Sequence, residues 1–120
     1  APSEETEALH AHFLEHLPAI RTDVYAALGP AQVSRSALEA LTESLTGATA
    51  AALRFEDLDL LAREIDWFRA YDEQSEPPAR MLDAFLPSYK EAIAAHLVQR
   101  VEPLVAWLND RIAQGHAENG

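Results

Sequence analysis

Met81, Phe85, Tyr89, Ile93 and Leu97 stand at strict intervals of four. Four residues make slightly more than one α-helical turn, so the five side chains fall along one stripe. No stretch of the chain alternates apolar and polar residues for long enough to read as a strand. The 3.6-residue period recurs throughout instead. The sequence therefore predicts an all-α domain of five to six helices, joined by short loops.

The first helix is expected to start near Ser3, a suitable N-cap ahead of Glu4 and Glu5. Leu9, Phe13 and Leu17 recur along it, and Pro18 is expected to bend or end it. A further segment runs through Ile20, Val24 and Leu28 to the stop signal Gly29-Pro30. Ser36 and Glu39 form a capping-box pattern at the head of the stripe Leu38, Leu41 and Leu45. Gly47 then implies either close approach of another helix or a break. Asp57 is expected to cap the next helix, whose apolar face holds Leu58, Leu61, Ile65 and Phe68. Leu60, Trp67 and Tyr71 widen that arc, which predicts burial on more than one side. DEQSEPP reads as a polar turn, and Pro77-Pro78 opens the helix of the Met81 stripe, with Pro87 expected to kink it. A break around Arg100 to Pro103 precedes a last helix carrying Val101, Leu104, Val105, Leu108 and Ile112. The tail QGHAENG is expected to fray. This count, with its proline bends, suits helices crossing at large angles, as in a globin-like sandwich, better than an ideal four-helix bundle.

At 120 residues the chain is expected to form a single domain, residues 1–120, with a substantial core. Its net charge of -11 repels phosphate backbones and anionic lipid, so neither a nucleic-acid nor a membrane partner is expected. It has no cysteine, which excludes disulfides, thiolate catalysis, Cys-ligated zinc and thioether attachment of a cofactor. That fits a cytoplasmic protein. No apolar run approaches the ~20 residues that span a bilayer. No basic region followed by an apolar one marks a signal peptide.

His12 and His16 lie four apart and share a helix face, with Glu15 or a distant carboxylate as a third ligand for one metal ion. The order H-F-L-E-H is not the HExxH arrangement. Paired histidines on an acidic helix are usually solvated, so no metal site is expected. His96 adjoins the apolar stripe and reads as a half-buried polar group or a ligand contact. Neither a GxSxG elbow nor a phosphate-cradling loop occurs, and the chain has only four glycines. Asp66 and Asp83 belong on solvated faces, so the chain is expected not to be an enzyme. The second half interleaves aromatic residues with cations. Their plain reading is core plus solvated charges. Their functional reading is a pocket for a planar acidic molecule, with Arg63, Trp67, Tyr71, Arg80, Tyr89 and His96 as its residues.

The run RFEDLDLLAREIDWFRAYDEQSEPPARMLDAFLPSYKEAIAAHL resembles bacterial globin-superfamily proteins that lack haem. In particular it is similar to small globins associated with bilin biosynthesis, relatives of the phycobiliproteins. An acidic pair precedes a helix ending in an aromatic-Trp region, then a proline-led turn and a helix with Leu and Tyr. The resemblance covers under half the chain and implies a haem-free globin fold. No histidine lies between Leu17 and Ala95, which disfavours ordinary haem ligation. Without cysteine, a bilin would be held non-covalently. The implied role is an accessory, carrier or sensor protein in linear-tetrapyrrole metabolism, with a bilin-pathway enzyme as partner. The alternative is a ligand-free signalling module of a bacterial sensor, a pattern also found ahead of cobalamin-binding domains, forming a homodimer through the C-terminal helix.

Overall fold

The computed structural model describes residues 4–28, 35–70, 79–97 and 102–119. These form five helices and no strand: α1 (Glu4–Leu28), α2 (Arg35–Phe55), α3 (Asp59–Arg69), α4 (Ala79–His96) and α5 (Glu102–Asn119). Ser3, Gly29-Pro30, Tyr71, the DEQSEPP turn and Val101 lie outside the described residues. Among the described residues no helix is long and apolar enough to cross a membrane.

The first correction concerns Pro18, which neither ends nor divides α1. Proline inside a helix removes one backbone hydrogen bond, at about 3 kcal/mol. The buried residues Phe13, Ile20, Val24 and Leu28, with half-buried Leu17, keep helical register across it. Burying one such side chain yields roughly 1.5–3 kcal/mol, so the whole face outweighs one proline. Thr22 Oγ1 also donates to the Pro18 carbonyl at 2.9 Å.

Gly47 is the second correction. It lies inside continuous α2, is exposed, and a Cβ there would meet nothing within 4 Å. It therefore marks neither a break nor a close approach. α2 begins at Arg35, one residue before the expected cap, and the Glu39 carboxylate accepts from Arg35 Nε at 3.1 Å. The buried face of α2 is wider than its leucines. Thr42, Thr46 and Thr49 are all buried, and each hydroxyl donates to the carbonyl one turn back at 2.7 Å. The helix itself thus satisfies their polarity.

α2 passes into α3 within three residues. Glu56 takes φ 54°, and the Asp57 amide donates back to the Ala52 carbonyl at 2.9 Å. This is a Schellman ending with glutamate at the position that favours glycine. The N-cap of α3 is Leu58, one residue after the expected Asp57, and carries no side-chain cap bond, but the Asp57 carboxylate accepts from the Asp59 amide at 3.0 Å. On α3 the buried set is Leu61, Ala62, Ile65 and Phe68. Trp67 is half exposed, so the apolar arc is narrower than the sequence implied.

α4 buries four members of the Met81 stripe and adds Leu82, Leu86 and Ala92, running unbroken through Pro87, and the fifth, Leu97, is buried one residue past its end. α4 ends at His96 and α5 begins at Glu102, which leaves Pro103 in the first turn of α5, while Arg100, where the break was expected to start, lies outside the described residues. α1 packs on α2 and α4, α2 on α3, and α4 on α3 and α5. Leu104 and Leu108 enter this shared core, with Val105 and Ile112 at its margin. The stripe expected to meet a second copy is thus largely used inside the chain. Arg69 ties three elements, donating to the Arg111 carbonyl at 2.8 Å and lying 3.9 Å from the Asp83 carboxylate.

Candidate metal centre

Of the six residues expected to line a ligand pocket, Arg63, Trp67, Tyr89 and His96 have described side chains, and these four do not converge. Arg63 and Trp67 lie one turn apart on the exposed side of α3. Tyr89 is fully enclosed in the core, where it packs on Phe85 and donates its hydroxyl to Thr49 Oγ1 at 2.6 Å. Burial pushes its phenol well above the ordinary tyrosine range, against a smaller opposing effect of the Thr49 bond. His96 joins α1 instead. Tyr71 and the Arg80 side chain lie outside what the structure describes.

What does converge is a chain of imidazoles and carboxylates between α1 and α4. Positions 12, 15 and 16 share one turn of α1, bringing their ligand atoms within 4.8 Å of one another. His12 and His16 meet edge to face, with ring centroids 4.8 Å apart. The Glu15 carboxylate is 3.9 Å from His12 Nδ1. Across the groove, the His96 ring lies almost parallel to that of His16, at 6.3 Å between centroids. The His96 Nε2 contacts the Asp23 carboxylate at 2.7 Å. An ionised carboxylate only accepts, so Nε2 carries the hydrogen and a neutral ring keeps its lone pair on Nδ1.

Three features suit this group to a borderline-soft divalent ion. Imidazole is a preferred donor for zinc, nickel and copper, whereas calcium and magnesium prefer oxygen. A ligating histidine ordinarily gives its second N–H to a carboxylate, which sets its tautomer and orientation. Asp23 stands in that relation to His96. The side chains are also free enough to close. Tetrahedral zinc holds its ligand atoms about 3.3 Å apart. The present spacing is wider, within 4.8 Å for His12, Glu15 and His16 with His96 outside that group, and His12 is 44% exposed and Glu15 73%, which leaves both room to turn. His16 is the hub, touching both His12 and His96.

The sequence showed the His12/His16 pair but not its completion. His96 lies 80 positions from His16 and Asp23 lies 73 from His96, separations that only helix packing closes. The spacing of Asp23, seven residues after His16, was the signal available, since it places both near one face of α1.

Compared with protein-family models, with curated proteins and with solved structures, the chain has no match. Fold and site define an all-helical protein with a histidine–carboxylate cluster between its first and fourth helices.

Proposed function

We propose that this chain is a non-enzymatic helical module that binds one divalent transition-metal ion, zinc being the reference case. His12, His16 and His96 supply imidazole nitrogens, Glu15 an oxygen, and Asp23 orients His96. The reading departs from the expectation of solvated histidines. The observation that carries it is the carboxylate-held imidazole of His96 lying across from the His12/His16 pair. The net charge of -11 further favours a cation.

Calorimetric titration of the full chain tests this. Zinc is expected to bind one ion per chain, at least tenfold more weakly to a His16→Ala variant. Magnesium is expected not to compete. Equal zinc binding by the variant, or displacement by millimolar magnesium, points to the acidic surface alone and ends the proposal.

A second reading has support of its own. Arg63 and Trp67 offer a guanidinium and an indole face one turn apart on exposed α3. They suit a planar acid such as a linear tetrapyrrole held on the surface of a haem-free, globin-like accessory protein that serves a bilin-pathway enzyme. Biliverdin that leaves both its own absorbance and the tryptophan emission unchanged at ~100 µM removes direct binding.

A further inference from the structure

We infer that a cleft at the other site of convergence, where the first turns of α1 and α5 meet the α2–α3 joint, binds a small amphipathic cation: an ammonium group on a short aryl or alkyl body. The cleft has a volume of 210 Å³, and Leu9, Leu53, Leu58 and Leu104 are among its walls. An apolar cavity of about 150 Å³ holds one benzene ring, so this one takes a ring with a short tail. It falls below the ~300 Å³ at which pockets for larger ligands begin, which excludes a tetrapyrrole from this cleft.

The polar part of the ligand follows from Glu56. Its carboxylate lines the cleft beside Thr6, whose hydroxyl donates to it. A carboxylate accepts several hydrogen bonds, so the threonine leaves capacity for an ammonium group. Independently, Glu56 is the one described non-glycine residue with positive φ. A left-handed residue other than glycine is strained, and such residues gather at ligand clamps. Glycine is the ordinary occupant of this helix ending, yet here it is an exposed charged residue at the edge of a mostly apolar cleft. The dipoles at the starts of α1, α3 and α5 oppose a cation, while the carbonyl end of α2 favours one. Each amounts to about half a charge, so together they leave about one positive charge, which Glu56 balances and the acidic chain behind it turns in favour of a cation. The cleft shares no lining residue with the histidine cluster, so this inference stands or falls apart from the zinc titration.

The test is amide-resolved NMR titration of the full chain with 2-phenylethylammonium, neutral 2-phenylethanol and phenylacetate. The cation is expected to give saturable shifts at Thr6, Leu53 and Leu58, with affinity at least tenfold above that of the alcohol. Phenylacetate is expected to give none. Glu56→Gln, an exposed change that keeps the side-chain shape, is expected to abolish the preference for the cation while the alcohol still binds. Leu9→Trp, which fills the cleft, is expected to block both, with folding checked by circular dichroism. Equal affinity for cation and alcohol overturns the inference. So do shifts scattered over the acidic surface and unchanged in Glu56→Gln, and so does the absence of saturation at ~10 mM.

Discussion

Thr49 and Tyr89 form the most consequential polar contact in the core, and the two partners are not equivalent. The Tyr89 hydroxyl donates to Thr49, while the Thr49 hydroxyl donates onward to the Leu45 carbonyl. In Tyr89→Phe, Thr49 keeps its own donor bond, so the loss is about 1 kcal/mol. In Thr49→Val a fully buried phenol loses its acceptor, and the expected loss is larger, about 1–3 kcal/mol. Urea unfolding of both variants checks the order, and a greater loss in Tyr89→Phe contradicts the assigned direction of donation. The same burial raises the phenol's pKa in the folded chain above its unfolded value of about 10. Stability from the neutral phenol is therefore complete below about pH 10 and falls as pH rises beyond it. Tyr89→Phe is expected to flatten that alkaline decline. Tyr89 was legible in the sequence as a stripe residue, and its burial follows from the spacing. Its hydroxyl partner was not, because Thr49 lies 40 positions away and a threonine inside a helix ordinarily announces nothing.

Helices were the most legible part of this chain, and their interruptions the least. Local punctuation at Pro18 and Gly47 suggested breaks, yet α1 and α2 run through both. Propensity is a local quantity, whereas the apolar face of each helix is fixed by its neighbours and outweighs a single unfavourable residue. Gly47 makes this measurable. It is exposed, mid-helix and without neighbours, so Gly47→Ala is expected to stabilise the chain by about 0.5–1 kcal/mol through lower unfolded-state entropy. A thermal melt that shows destabilisation would place a real discontinuity in α2. Glu56 is the converse case. Nothing in ALRFEDL marks a left-handed residue, because glycine, the usual sign of one, is absent.

For the molecule as a whole, the two candidate sites join elements far apart in sequence, and each should report on global stability. An ion that binds only the folded chain stabilises it by mass action, about 2.7 kcal/mol at a hundredfold excess over its dissociation constant. For a chain of this length that corresponds to a rise in Tm of roughly 10 °C. The rise is expected in calorimetry with zinc and is expected to be lost in His16→Ala. A rise that survives in His16→Ala assigns the ion to carboxylates. The amino-acid sequence alone determined the helical class, the register of each apolar stripe and the acidic surface. These follow from period, composition and charge, which are properties of neighbouring residues. Tertiary packing alone decided that Pro18 and Gly47 would be overridden, that Tyr89 would be enclosed with Thr49, and that His96 would meet His16 and Asp23 of α1. Each of these depends on contacts between residues distant in the chain, and no local pattern encodes the distance at which two helices pack.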